Sequence, residues 1–183
     1  MIEALIAIVD RLISLLQGRI AGRKELFDRI LEPTFNDLLL VHGDYISLFE
    51  AGRQSAFPED SPPAKDSQEY TVRLEATKAV LLRSRLVLEP VRTKIRAVAD
   101  QLLHVSLPPE EKDFVAAVLR YFPTGDPRLS RSHGLNLVTF LEQRPDPFSI
   151  DLQFETILNE IRNQWSSVCI AFGRLKVAIA RER

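Results

Sequence analysis

The chain reads as an all-α protein, a four- or five-helix bundle built on a long, proline-kinked antiparallel helical hairpin. Three observations carry that expectation. Apolar residues recur every three or four positions through most of the 183 residues, and no segment shows the strict alternation of a strand. Proline and glycine gather in short stretches between those runs. The hydrophobic share, 45%, is ample for one core, so a single helical domain over residues 1–183 is expected.

The first helical run extends from about Ile2 to about Glu50. Ile2, Leu5, Ile6, Val9, Leu12, Ile13 and Leu16 form a wide apolar stripe at its start. Gly18 and Gly22 weaken the run and mark a soft spot or bend. Phe27, Ile30, Leu31, Thr34, Leu38, Val41, Tyr45 and Phe49 then continue at helical spacing. Residues 51–66, "AGRQSAFPEDSPPAKD", read as a mobile loop, long for a helix–helix connection.

The second run, from about Ser67 to about His104, has the cleanest seam. Leu74, Thr77, Leu81, Ser84, Leu88, Val91, Ile95, Val98 and Leu102 alternate spacings of three and four, as for packing along another long helix. "LPPEEKDF" opens a third helix, with proline and acids where a first turn favours them. It ends at "YFPTGDP". A fourth runs from about Leu129 to Gln143, and "RPDPFS" interrupts. The last runs from about Ser149 to Ala180, with Phe154, Ile157, Ile161, Trp165, Val168, Phe172, Leu175 and Ile179 inward.

Leu-Glu-Pro occurs inside both long runs, at Pro33 and Pro90. An interior proline costs about 3 kcal/mol, for a lost hydrogen bond and a clash with the carbonyl four residues back. Glu32 and Glu89 are poor N-caps, no glycine stops the incoming helix, and the apolar spacing continues across both sites. Kinks rather than breaks are expected. In a hairpin turning at 51–66 the prolines would differ in level by about six residues, roughly 9 Å, and bend the pair together.

Length raises a further expectation. If continuous, the first run measures ~73 Å and the second ~57 Å, so about ten residues of the most apolar helix overhang. A fold-back at Gly18/Gly22, the later helices, or a second subunit must cover them. Residues 1–22 are thus a protruding or oligomerising helix, with Ile2, Leu5, Ile6, Val9, Leu12 and Leu16 as the contact.

Composition excludes several chemistries. The net charge of −1 favours neither nucleic acid nor acidic lipid. On the second run Lys78, Arg85, Arg92 and Arg96 share a stripe with Glu75 and Glu89, a pattern of paired, solvated charges rather than of phosphate binding. The single Cys169 allows no internal disulfide and no cysteine-rich zinc site, which suits a cytoplasmic setting. It falls between Val168 and Ile170 and reads as a small buried hydrophobe. The N-terminal stretch has Glu3 rather than a basic start, no Ala-x-Ala site, and too few apolar residues for a membrane span. Arginine outnumbers lysine 18 to 6, which reads as bacterial codon bias rather than chemistry.

No Glu-x-x-His pair exists for a carboxylate-bridged metal site, and His42 and His104 fall at different levels of the hairpin, so no metal and no cofactor is expected. One short motif carries chemistry. Arg128 to His133, "RLSRSH", has the spacing Arg-x-x-x-x-His. It resembles the catalytic motif of HEPN-domain ribonucleases, small helical bundles that often dimerise around it. The resemblance implies Arg128 and His133 as a metal-independent cleaving pair acting on RNA phosphates and the 2′-hydroxyl. The alternative is a basic, solvated turn.

The functional expectation is a non-catalytic interaction or scaffold protein that assembles through its N-terminal apolar helix, as a homo-oligomer or with a protein partner. The ribonuclease is the second reading. A peripheral membrane protein is the third, although such a helix wants a Lys/Arg-rich polar face and this one offers Glu3, Asp10 and Gln17.

Overall fold

The structure, a computed structural model, describes residues 1–17, 22–56, 63–122 and 133–181, the side chains of 85–87 excepted. The protein is all-α, and no strand occurs among the described residues. Its helices are α1 (Ile2–Leu16), α2 (Arg23–Leu26), α3 (Glu32–Ala56), α4 (Gln68–Leu103), α5 (Pro109–Tyr121), α6 (His133–Glu142) and α7 (Pro147–Arg181).

The first run is not one rod. α1 ends at Leu16, and Gly22 is extended (φ −144°, ψ 150°) before α2 begins. The chain folds back, so α1 lies antiparallel to α3: the Met1 amine is 2.9 Å from Asp44 and Arg11 pairs with Asp37. Of the three ways to cover the apolar overhang, the protein uses the first.

α1 settles between α3 and α4. A helix in such a cleft buries a broad arc, here Leu5, Ile8, Val9, Leu12 and Leu15. The expected contact stripe is therefore corrected in phase. Leu5, Val9 and Leu12 are closed inside the chain's own core and Leu16 is half-buried, while Ile2 and Ile6 stay 39% and 47% exposed. Ile8 and Leu15 take the inward places. In a run so rich in Ile, Leu and Val, spacing alone does not fix which arc faces in.

Helix continues across both Leu-Glu-Pro sites. Phe27–Leu31 forms one π-helical turn between α2 and α3, in which the amide of Glu32 donates to the carbonyl of Phe27. A turn this wide, just before Pro33, leaves more room between the proline ring and the carbonyl four residues back than an α-helical turn would. Pro90 lies inside α4, which runs unbroken. The two prolines are not level. Tyr45 and Phe49 lie beside Leu81 and Leu88, so Pro90 stands opposite the middle of α3. Pro33, at the start of α3, is ~15 Å from that level.

α3 also reaches further than its sequence indicates. Residues 51–56, expected in the loop, are its last turns. Packing overrides the weak propensity of "AGRQSA". Gly52 lets α3 approach α7 so closely that a Cβ there would stand 3.4 Å from the Phe154 ring. Arg53 grips Asp151 at 2.5 and 2.9 Å, and Ala56 is buried. The expected mobile segment at 57–62 lies outside the described residues.

α7 runs antiparallel to α3 along its length, from Arg53–Asp151 through Glu50–Arg162 (3.0 Å) to Glu32–Lys176 (3.6 Å). Its expected inward residues are buried, with Trp165 partly so. α4 begins as the sequence indicates: Ser67 is the N-cap, its hydroxyl accepting from the Tyr70 amide at 3.0 Å. α5 packs on α4 and α7, and α6 lies across the same two helices.

Candidate functional site

Four helices converge on one polar and aromatic layer. α3 supplies His42 and Tyr45, one turn apart on its inner face. α4 supplies Arg92, α7 supplies Trp165, and the end of α5 supplies Tyr121 with Phe122 just beyond. The guanidinium of Arg92 stands 5.4 Å from the Tyr45 ring and 5.7 Å from the Phe122 ring. Cation–π attraction of this kind contributes about 0.5–2 kcal/mol, more as water is excluded.

On the far side, His42 stacks on Trp165 with centroids 4.6 Å apart, and its Nδ1 is 3.0 Å from the Tyr121 hydroxyl. Burial lowers the His42 pKa below 6.5, and Arg162 pushes it the same way, so the ring is neutral at neutral pH. Tyr121 is pushed well above the usual phenol value by burial, so it keeps its proton, and its hydroxyl shares one hydrogen bond with Nδ1 of the neutral imidazole. Tyr45 is likewise raised by burial, against the opposing pull of Arg92. The layer thus holds neutral phenols and imidazole around one permanent cation.

His133 opens α6 at the edge of this layer. Its side chain is 8% exposed, with Nδ1 3.4 Å from Glu160 and Nε2 3.5 Å from Gln164. Burial holds its pKa below 6.5, although Gln164 and Glu160 act to raise it. The imidazole faces protein rather than solvent. Arg128, the other half of the Arg-x-x-x-x-His motif, lies outside the described residues.

Arg92 was legible in sequence only as one charge of a solvated stripe. The stripe forms in part, since Lys78 pairs with Glu75 at 2.6 Å. Arg92 instead turns inward. The signal was present: positions 88, 92, 95 and 99 form an arc of the α4 seam, and an arginine among Leu88, Ile95 and Ala99 faces the interior. Tyr45 sat on the inward stripe of the first run, but nothing in the sequence pairs it with Arg92.

Other chemistries have little to build on. No group of three metal-ligating side chains occurs among the described residues. Cys169 is half-buried and burial raises its thiol pKa, the opposite of nucleophile activation. No described helix is long and apolar enough to cross a membrane. Compared with known proteins, the chain matches no family model, no curated protein and no solved structure.

Proposed function

We propose that the protein is a helical interaction module that assembles with a second copy of itself through the exposed flank of α1. The observation that supports this is the row Ile2, Ile6 and Ile13, 39%, 47% and 36% exposed, on a helix whose other flank is core. At 100° per residue the three fall within one narrow stripe.

Charge complementarity favours a second copy as the partner. Glu3 and Asp10, both exposed, border the stripe on its outer side. On the other side lies α4, where Arg83 lines a groove with Ile2 and Leu88, and Lys94 falls on the same exposed stripe as Arg83. A two-fold axis across the isoleucines sets the acidic edge of each copy against the basic edge of the other. The one arginine of α1, Arg11, is engaged with Asp37, so the helix offers no free cation to an anionic membrane.

Sedimentation or light scattering at micromolar concentration tests the reading. The parent chain should be a dimer, and Ile6→Glu should be a folded monomer. A parent that stays monomeric up to ~100 μM, where assembly would be worth about 5 kcal/mol, refutes it.

A further inference from the structure

The crest of α7, the line that faces away from α3 and α5, carries no charge. From Leu152 to Ala180 its positions follow spacings of four and three without a break, the repeat of a helix that lies along another. Leu152, Ile170 and Val177 are 53%, 55% and 51% exposed on it. Thr156 turns its hydroxyl onto the Leu152 carbonyl at 2.9 Å, which satisfies it without water. Ser166, Gly173 and Ala180 are small and exposed, and nothing stands within 4 Å of a Cβ added at Gly173. Asn159 and Asn163 complete the line. A helix crest left to solvent normally carries charges, as α4 does with Glu75, Arg83 and Lys94.

The charges beside the crest are sorted by sign. Glu155 and Glu160 flank its first half, Arg174 and Arg181 its second, and all four are exposed. Arg162, which falls among the acids, is held by Glu50 at 3.0 Å, and Lys176 is 3.6 Å from Glu32. Two such helices laid parallel would set like charges together. Laid antiparallel about a two-fold axis near Ser166, they set the acids of each against the arginines of the other.

We propose that the crest of α7 docks antiparallel on the α7 crest of a second copy, in an interface that uses no residue of the α1 flank and does not depend on it. Asparagine, serine and glycine occupy much of the seam, so this contact is the weaker of the two. Each chain then has two self-complementary faces, and assembly proceeds past a dimer as concentration rises.

Sedimentation of the full chain from about 1 to 500 μM tests this. Ile6→Glu, which removes the α1 contact, should still pair through α7 with a Kd of roughly 100 μM. Adding Ile170→Glu, an exposed change that circular dichroism should show folded, should leave a monomer throughout. In the Ile6→Glu chain, Arg174→Glu should weaken pairing about 10-fold, and mixing it with Glu160→Arg should restore it. Crosslinking with a short bismaleimide in a Cys169→Ser background gives the direction. Ser166→Cys should join to itself, Leu152→Cys should not, and Leu152→Cys mixed with Val177→Cys should. An Ile6→Glu chain that stays monomeric to ~500 μM, pairing undiminished by Ile170→Glu, or Leu152→Cys joined to itself overturns the proposal. If α1 is the contact that fails, the parent and Ile6→Glu associate alike, and Ile170→Glu alone makes both monomeric.

Discussion

Arg23, the first residue of α2, closes on Glu111 of α5 with two nitrogens: Nε lies 2.5 Å from one carboxylate oxygen and Nη2 lies 3.0 Å from the other. Glu111 is fully buried, while Arg23 keeps a 23% exposed edge and also reaches Glu110 at 2.7 Å. The consequences of breaking the pair are therefore unequal. Arg23→Ala strands a buried carboxylate and should cost about 3 kcal/mol, some 6–12 °C in Tm. Glu111→Gln keeps the shape and leaves Arg23 its second acid, so it should cost less than half of that. Chemical denaturation of both variants checks the order.

The phase of α1 can be tested by truncation. Ile8 is fully buried and Ile6 is nearly half exposed. Ile8→Ala should cost 2–5 kcal/mol through its cavity, as roughly expected of core isoleucine. Ile6→Ala should stay within about 1 kcal/mol in a urea melt of dilute protein. Equal losses at the two positions would show that α1 is seated otherwise.

Gly43 and Gly52 both lie in α3 but should respond differently. Around Gly43 nothing approaches an added Cβ within 4 Å. Gly43→Ala should therefore recover most of the helix penalty of glycine, about 0.8–1 kcal/mol. At Gly52 an added Cβ would already touch the Phe154 ring, 3.4 Å away, so the further methyls of Gly52→Val should destabilise by about 1–3 kcal/mol through overpacking.

Stability should fall in mild acid. His42 and His133 both titrate below 6.5 in the folded chain, chiefly because burial disfavours their charged forms. The unfolded chain takes up protons near pH 6.5 while the folded chain does not, so the unfolded state binds more protons. The contribution of these two histidines is complete above pH 7 and shrinks as pH falls from there through 6.5 toward their folded values. Denaturation midpoints at pH 7.5 and 5.5 should show the decline. His133→Gln should flatten it without abolishing it, since His42 remains.

Ser67 caps α4, the longest helix among the described residues. Its hydroxyl takes the Tyr70 amide at 3.0 Å, and α4 carries Glu69 in its first turn. Ser67→Ala should cost about 1 kcal/mol and Ser67→Asp almost nothing. Amide exchange at Tyr70 reports the loss directly.

The helical runs were legible because local spacing specifies them. The α7 stripe from Phe154 to Ile179 and the α4 seam from Leu74 to Leu102 are inward as read. Three features were not legible, each for a tertiary reason. The end of α3 depends on Phe154 and Asp151, about a hundred residues away. The phase of α1 depends on the cleft between α3 and α4. The partners of Arg92, rings contributed by α3 and by the end of α5, meet only in the fold. Of the layer around Arg92, the sequence places Tyr45 and Trp165 on inner faces, and only the fold brings Arg92, His42 and Tyr121 to them.

The π-helical turn at Phe27–Leu31 also sets an angle. Deleting one residue there would restore ordinary winding and rotate everything upstream by about 100° around the axis. Arg23 would swing off the carboxylate it grips, and the polypeptide leading back to α1 would leave in another direction. The extra residue beside Pro33 is thus a rotational shim: it aims the start of this long helix at α5.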